Sequence, residues 1–484
     1  MSQAVMLGLL VLLPLTGQAQ LLLTLDSCRA MALRNNKQMG MAKIKLEVNA
    51  HLQKSARTKY LPNISALGGY VWMSKEISIL NDDQKSKLSN MGTNTATNLQ
   101  NVLSPLVSSL PTATQTKMSQ DMMQFANVLD QTGTGIVNAL RTDTRNMFAG
   151  AVMVTQPVYM GGAITAANKI ADINVEMAAN SLEMKRQHII YNIDQAYWQV
   201  VSLHHKLKLA DSYVTLVKKL KSDVQKMIDQ GVATKGDGLT VSVRENEAEM
   251  AQTQVKDGLV LSKMLLCQLC GLPVNDEITL ADEENENIDH ISPIGTISPI
   301  GTISRPELKV LQNTVDLSRQ ATNVLKAGNL PQVFLTGGYA VTNPNTFNGF
   351  EKKFGGFWNV GVMVRVPIWN WGDVKYKVRA SKGATAMANV ELDEARELIE
   401  LQVNQSNFKV NEAYKKLEMA NANVVNAEEN LRMANLGFKE GTVSHTTVME
   451  AQTAWQLAQS QKIDAEIGVK LSHVELQKAL GTLQ

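Results

Sequence analysis

Residues 357–369 read Phe357-Trp-Asn-Val-Gly-Val-Met-Val-Arg-Val-Pro-Ile-Trp369, and two sets of side chains alternate along this stretch. One set is apolar throughout: Trp358, Val360, Val362, Val364, Val366 and Ile368. The intervening set is more polar: Asn359, Gly361, Met363, Arg365 and Pro367. A period of two with one apolar face is typical of a β-strand that contacts lipid on one side and a barrel interior on the other.

Three other stretches show noisier versions of this pattern, so we predict four strands, at 61–73, 149–159, 331–342 and 357–369. Each approaches the ~10 residues that a tilted strand needs to cross the hydrocarbon layer. Aromatic residues suited to a membrane interface accompany the strands: Tyr70, Trp72, Tyr159, Trp358, Trp369 and Trp371. Four strands cannot close a barrel, and an open strand edge is not stable in lipid. The sequence therefore predicts a barrel shared between copies, for which a trimer with ~12 strands and an aqueous interior is the economical solution.

The chain is an internal duplication. Residues 60–70 match residues 329–339, including Leu-Pro and Gly-Gly-Tyr in both copies. Beyond that point four pairs of residues match at a constant offset of 210: Pro157 with Pro367, Gly162 with Gly372, Gly231 with Gly441, and Gly271 with Gly481. The first match has an offset of 269, from Tyr70 to Tyr339, which is larger than 210. The first copy must therefore hold an insertion between its two strands. Repetition of this kind indicates two similar structural units in tandem.

The duplication defines the predicted domain organisation. We expect a signal peptide at 1–19, a first repeat at 20–271, a linker at 272–304 and a second repeat at 305–484. The first repeat is predicted to contain a helix at 26–59, an extracellular insertion at 74–147 and a long helical hairpin at 162–271. The second is predicted to contain a helix at 305–328 and a hairpin at 372–481. The insertion is either a partly helical cap or disordered, and the linker, with its acidic run at 282–286, is interpreted as an exposed connection without chemistry.

The predicted hairpins carry the apolar seam of a coiled coil. From Val200 against Val410 onward, residues spaced alternately by four and three superimpose at the same offset of 210. A sustained repeat of this spacing makes helices wind around one another. Gly231 and Gly441 interrupt the seams and are predicted to end the first helix of each hairpin. The seams alone are equally compatible with a soluble helical bundle, and the strands favour the membrane interpretation.

Composition and motifs argue against several other classes. The chain has 47 basic and 45 acidic residues, so its net charge of +2 gives no reason to expect nucleic acid as a partner. We interpret Cys267 and Cys270 as small core residues, and His204 with His205 as polar surface, because adjacent helical residues face apart. No catalytic residue, cofactor site or metal site is expected, and an enzyme is the weakest interpretation.

At this point the sequence resembles the TolC-like outer-membrane efflux protein family. The resemblance rests on residues 25–36, on the paired Leu-Pro strands, on the glycine tips, and on the strand-to-helix passages marked by Pro157, Gly162, Pro367 and Gly372. It implies a homotrimer with a 12-stranded barrel in the lipid of the Gram-negative outer membrane and an α-helical coiled-coil tunnel extending into the periplasm. It also implies a periplasmic adaptor and an inner-membrane pump as partners.

The resemblance further implies roles for residues at the two glycine tips. Adaptor contacts are expected at Gly231, Val232, Gly441 and Thr442, and a constriction is expected near Asp237, Phe438 and Glu450. Phe438 and Val443 stand where some members have tyrosine and arginine in a closing network, so this chain departs from that pattern. Asp237 and Glu450 are equally compatible with solvated residues at helix starts, where negative charge suits the helix dipole.

The function that the resemblance implies is a passive exit duct of a tripartite efflux or type I secretion system. Two alternatives are a periplasmic adaptor and a soluble coiled-coil scaffold. An adaptor has one helical hairpin in a compact β module, whereas this sequence has two hairpins and two pairs of strands in tandem. The exported cargo, whether small molecules or proteins, is not encoded in any recognisable motif.

Overall fold

The computed structural model describes residues 21–76, 78–141, 143–285, 305–348 and 351–483. The chain divides into two compact units. The helical unit comprises the described parts of 1–56, 165–325 and 375–484, and the strand unit comprises those of 57–164 and 326–374. The predicted signal peptide and most of the predicted linker lie outside the described residues.

The first repeat contains, in chain order, β1 (Leu21–Leu23), α1 (Leu25–Asn35), α2 (Lys37–Arg57), β2 (Asn63–Trp72), α3 (Asp82–Ser89), α4 (Met91–Val107), α5 (Thr112–Ala139), β3 (Asn146–Met160), α6 (Ala163–Asp229) and α7 (Lys235–Cys270). It is followed by β4 (Ile278–Leu280). The second repeat contains α8 (Pro306–Ala327), β5 (Gln332–Asn343), β6 (Gly355–Arg365), α9 (Asp373–Lys439) and α10 (His445–Leu480).

The single helix predicted at 26–59 is wrong, because the structure divides it at Asn36. This residue has extended backbone angles, with φ of −64° and ψ of 127°, and its side-chain oxygen accepts a hydrogen bond from the Gln38 amide at 2.9 Å. An asparagine side chain that accepts a hydrogen bond from a nearby backbone amide competes with the helical hydrogen bonds. The first helix therefore ends before Asn36, and a second helix begins after it. The helix then ends at Arg57, shortly before Leu61, which precedes Pro62 and is extended.

The four long strands form one antiparallel sheet in the order β2-β3-β5-β6. The last strand ends at Arg365, four residues before the predicted end at Trp369. Pro367 explains the difference, because a proline has no amide hydrogen to donate to the ladder. Between β2 and β3 the insertion is helical and contains α3, α4 and α5.

The hairpins of the two repeats have the same dimensions. Helices α6 and α9 each contain 67 residues, and α7 and α10 each contain 36. At ~1.5 Å per residue, the longer pair extends about 100 Å. Most of the predicted seam is buried, including Val200, Val214 and Val217 in α6, and Val410 and Val424 in α9.

Both long helices end in the same hydrogen-bonded turn. Gly231 and Gly441 have positive φ values of 77° and 72°. The amide of the residue after each glycine donates back five positions, from Val232 to the Met227 carbonyl and from Thr442 to the Gly437 carbonyl. This is the Schellman arrangement, in which a glycine in the left-handed region ends the helix.

A core cluster joins β1 and α1 to the end of α7. Strand β1 pairs in parallel with β4, and Cys28, Cys267 and Cys270 are fully buried in this cluster. The interpretation of Cys267 and Cys270 as core residues is thereby confirmed. The pKa of the Cys267 thiol is raised by burial, which keeps it in the neutral form.

The interpretation of the acidic run as exposed holds for Glu284, whose side chain is 72% exposed, but is wrong for Glu283. Glu283 is 2% exposed, and its carboxylate lies 2.9 Å from the Lys263 ammonium and 3.4 Å from the His204 ring. The Tyr197 hydroxyl donates to Asp282 at 2.5 Å. Strand β4 brings these acidic residues against α6 and α7, so His204 is partly covered and not a simple surface residue.

Candidate functional site

The strand register separates the side chains of the sheet into two chemically different faces. Val362 lies opposite Leu335, and Trp358 lies opposite Tyr339. Residues directly opposite one another in an antiparallel pair share a face. Following the register across all four strands gives one largely apolar face: Ile64, Ala66, Gly68, Tyr70, Trp72, Phe148, Gly150, Val152, Val154, Val333, Leu335, Gly337, Tyr339, Val341, Trp358, Val360, Val362 and Val364. The amide residues on this face, Asn146, Gln156 and Asn343, lie toward the ends of β3 and β5.

The opposite face of the sheet carries the polar side chains together with small and some apolar residues. Its polar members are Asn63, Ser65, Thr155, Gln332, Thr336, Thr342, Asn359 and Arg365. Polar side chains along the middle of the strands, such as Thr336 and Asn359, suit an aqueous barrel interior. The two-faced alternation predicted from residues 357–369 therefore extends over the whole sheet.

Both faces of the sheet are accessible in the single chain. Every residue of β2 is exposed, and in β6 Val362 is 67% and Met363 is 58% exposed. Contiguous apolar surface of this extent marks a site of contact with a membrane or a partner. Among the described residues, β2 and β6 have no neighbouring strand on their outer sides, so the sheet offers two open edges.

Exposed aromatic residues lie at both ends of the sheet. At the end near the insertion, Tyr70 packs on Phe148 with ring centroids 4.8 Å apart. At the opposite end, where the strands lead to the long helices, Trp369 and Trp371 pack edge to face at 5.8 Å. The 11 residues of β6 span roughly 36 Å, and a tilt of about 40° reduces this to a height of about 28 Å, close to an outer-membrane apolar band.

The strand-to-helix passages of the two repeats share backbone features. Gly162 and Gly372 have positive φ values of 83° and 79°, and Pro157 lies at an irregularity in the register of β3. Pro367 follows the end of β6. Immediately before Gly372, Trp371 has a positive φ of 53°, and its counterpart in the first repeat, Gly161, has a positive φ of 61°. A tryptophan in the left-handed region is strained, and here its ring is 86% exposed.

The tips expose the residues that were predicted to contact an adaptor. Gly231, Gly441 and Thr442 are exposed, and Val232 is 69% exposed. An exposed valine at the end of a hairpin leaves apolar surface available for another protein.

The two hairpin tips meet through a contact that the sequence analysis missed. The Asp237 carboxylate lies 3.7 Å from Nε2 of His445, which is the first residue of α10. Asp237 also completes a capping box, in which its carboxylate accepts from the Thr234 amide at 2.8 Å. These hydrogen bonds, and then the His445 ring, lower the pKa of the Asp237 carboxyl, which keeps the group ionised.

The structure separates the remaining candidate gate residues. Phe438 packs partly buried against the apolar cluster that joins the two hairpins, and that cluster includes Val448 and Met449. Glu450 is exposed, more than one helical turn beyond His445. The structure therefore brings Asp237 to His445, packs Phe438 partly buried against the apolar cluster and leaves Glu450 on the surface.

Among the described residues, no helix is both long enough and apolar enough to cross a membrane. A two-faced sheet built from two tandem repeats, each with a long helical hairpin, defines the TolC-like class of outer-membrane channel fold.

Comparisons with known proteins agree with this class. The model of the outer membrane efflux protein family matches residues 112–272 and 302–482. The chain is 26% identical over 171 residues to the outer membrane protein TolC of Vibrio cholerae, covering 35% of this chain and 39% of that protein. It is 22% identical over 316 residues to the proteases secretion protein PrtF of Dickeya chrysanthemi, covering 63% of this chain and 67% of that protein.

A solved structure shows the same fold. The CmeC outer membrane channel of Campylobacter jejuni superposes with a TM-score of 0.73 at 14% sequence identity, covering 95% of this chain and 85% of that one. The chain belongs to the outer membrane efflux protein family. The family resemblance predicted from the sequence is confirmed, and it favours the channel over the adaptor and scaffold alternatives.

Proposed function

We propose that the chain is one protomer of a homotrimeric exit duct in the Gram-negative outer membrane. The observation that carries the proposal is the sheet with one apolar face and two open edges. In three copies, the β2 edge of each protomer pairs with the β6 edge of the next, giving a closed barrel of ~12 strands with its apolar face toward lipid. The long hairpins continue the passage into the periplasm as a coiled-coil tunnel.

The duct is passive and exports small molecules or proteins. The polar inner face supplies a water-filled path, and a periplasmic adaptor coupled to an inner-membrane pump supplies the energy. Exposed Val232 and the neighbouring tip residues Gly231, Gly441 and Thr442 form the adaptor contact. Because PrtF is named for protease secretion, protein cargo is included alongside small molecules.

The periplasmic end is restricted at the tips. Asp237 and His445 hold the two hairpins of a protomer together, and Phe438 supports this closure from the core. Three copies of Glu450 around the threefold axis supply a ring of negative charge that favours cations.

Reconstitution of the purified chain in planar lipid bilayers tests the proposal. We expect discrete conductance steps, and we expect a trimeric mass from sedimentation with correction for bound detergent. A chain that remains monomeric without detergent and leaves bilayers non-conducting contradicts the proposal.

A further inference from the structure

Helices α4 and α5 of the insertion carry almost no charge. Between residues 90 and 140 the charged side chains are Lys117, Asp121 and Asp130. Asp130 is used within the insertion, since its carboxylate accepts hydrogen bonds from the Gly92 and Thr93 amides at 2.6 and 3.1 Å. A helix face that only contacts water normally carries charged and polar residues. The near absence of charge indicates that part of this surface is covered in the assembled protein.

One face of α5 is covered by the other helices of the insertion. Met118, Met122, Ala126, Leu129, Gly133 and Val137 are buried or partly buried along this face. The helices pack closely there, because a Cβ added at Gly133 would come within 1.8 Å of the Leu88 carbonyl oxygen. This face needs no further partner.

A second face of α5 is apolar but exposed. Phe125, Val128, Ile136 and Leu140 are 55%, 61%, 40% and 41% exposed, and Thr132 lies between them on the same face. Successive residues of this set are three, four, four and four positions apart, so they lie on one side of the helix. The remaining face is exposed and mainly polar, with Gln120, Gln124, Asn127, Gln131 and Asn138 beside the exposed Met123. The exposed side of α5 is thus itself divided into an apolar seam and a polar face.

The apolar surface continues from α5 onto α4. Phe125 and Leu99 line one groove of about 480 Å³. Leu99 is 42% exposed, and Val102 and Leu106 further along α4 are 75% and 65% exposed. A partner that covers the α5 seam therefore also finds apolar surface beside it.

The base of the insertion is anchored by ion pairs at the end of the sheet. Glu76 lies 3.0 Å from Arg141 and 3.3 Å from Arg145, and Lys352 lies 3.1 Å from Asp143. The insertion also follows β2, which is an edge strand. In the proposed barrel that edge pairs with another copy, so the insertion begins at the boundary between protomers.

We propose that the α5 seam, defined by Phe125, Val128, Thr132 and Ile136, packs against the same seam of the neighbouring copies. The occupant is a second copy of this chain, because the insertion starts at the shared edge and the seam is an uncharged apolar strip along one side of α5. Three insertions then form a helical cap over the extracellular mouth. This inference rests on the proposed function, since it requires the trimer.

Cysteine cross-linking of the full-length protein tests the seam. Thr132→Cys places a thiol on the seam, and Gln131→Cys places one on the polar face about 100° around the helix. Both positions are exposed, and the native cysteines are buried. With a copper-phenanthroline oxidant we expect a covalent dimer on denaturing gels from Thr132→Cys and its absence from Gln131→Cys. The dimer fraction should not change on dilution, because the thiols meet within one oligomer.

Several results overturn the inference. If Thr132→Cys gives no dimer although sedimentation shows an intact trimer, the cap is wrong while the proposed channel stands. A cross-linked band of another mass shows that a different protein covers the seam. Absence of the trimer contradicts the proposed function itself. In a second variant, Ile136→Asp, we expect higher single-channel conductance than in Asn138→Asp, and equal conductance for the two contradicts a closed cap.

Discussion

Val362 of β6 lies directly opposite Leu335 of β5, whereas Met363, the next residue of β6, lies opposite Phe334 on the other face of the sheet. The two neighbouring positions are similarly exposed, at 67% and 58%. They differ in which face they occupy and therefore, in the proposed barrel, in whether they contact lipid or water.

We therefore expect Val362→Arg to disrupt membrane assembly and Met363→Arg to be tolerated. An arginine facing lipid near the middle of the apolar band costs about 2–4 kcal/mol, whereas a substitution in the interior mainly alters ion selectivity. The measurement is the fraction of protein recovered as heat-resistant oligomer from outer membranes. Equal recovery of the two variants shows that the faces are assigned wrongly.

The sequence predicted the faces of the strands because a period of two is visible without knowing which strands pair. Within β6 this was sufficient, since Val360 and Val362 alternate with Asn359 and Gly361. The position of Tyr339 opposite Trp358 required the structure, because register depends on pairing partners that no single stretch contains. The end of β6 was predicted too late because Val366 and Ile368 continue the alternation past Pro367.

At the tips the repeat itself concealed the contact between the hairpins. The offset of 210 makes His445 equivalent to Lys235, and Asp237 equivalent to Thr447. Comparison of the repeats therefore gave no sign that one copy supplies a carboxylate and the other an imidazole. The burial of Glu283 was missed for a different reason, since a strand of three residues such as β4 has too little length to show periodicity.

A buried ion pair holds α1 against α6, and breaking it should destabilise the helical unit. Arg29 donates two hydrogen bonds to Asp194, from Nε at 2.7 Å and from Nη2 at 2.6 Å, and the Asp194 side chain is fully buried. Burial raises the pKa of the Asp194 carboxyl, while Arg29 opposes that shift. We expect Arg29→Met to cost about 3–5 kcal/mol, because it leaves a buried carboxylate without its partner.

The double variant Arg29→Met with Asp194→Leu is the matched control for this pair. It removes both charges, so we expect most of the lost stability to return. Thermal unfolding followed by circular dichroism measures both effects. A single variant that unfolds at the wild-type temperature contradicts this account of the pair.

The stability of the helical unit should fall when the pH is lowered below the ordinary histidine range. His473 is 6% exposed, and burial, followed by the charge of Lys470, lowers its pKa. The unfolded chain therefore binds a proton more readily than the folded one at pH values between the folded pKa and the unfolded value of about 6.5. The stabilising contribution is complete above the unfolded pKa and is lost as the pH falls through the folded pKa.

Thermal midpoints measured across this pH range test the expectation. His473→Gln keeps a group that can bond the Tyr414 hydroxyl, which lies 2.9 Å from the ring, but it cannot titrate. We expect a smaller loss of stability on acidification in this variant than in the wild type. His51→Gln, at a position where the side chain is 68% exposed, is the control and should behave like the wild type.

Glu450 should determine ion selectivity if it lines the constriction. Three carboxylates around a narrow axis attract cations, so Glu450→Gln should lower the cation selectivity of single channels and weaken their block by multivalent cations. Glu440→Gln removes a carboxylate from the second tip at the C-terminal end of the preceding long helix and serves as the control. Unchanged selectivity in Glu450→Gln leaves the residue as an ordinary solvated side chain.

The contact between Asp237 and His445 should keep the tips closed. Its two side chains are 32% and 15% exposed and lie on different hairpins, so their attraction opposes separation of the tips. We expect His445→Leu to increase the conductance and open fraction of single channels, because the carboxylate then loses its partner. Lys235→Leu changes the equivalent first position of the other hairpin and should leave both quantities unchanged. Equal effects of the two variants indicate a general loosening of the tips and remove any special role for His445.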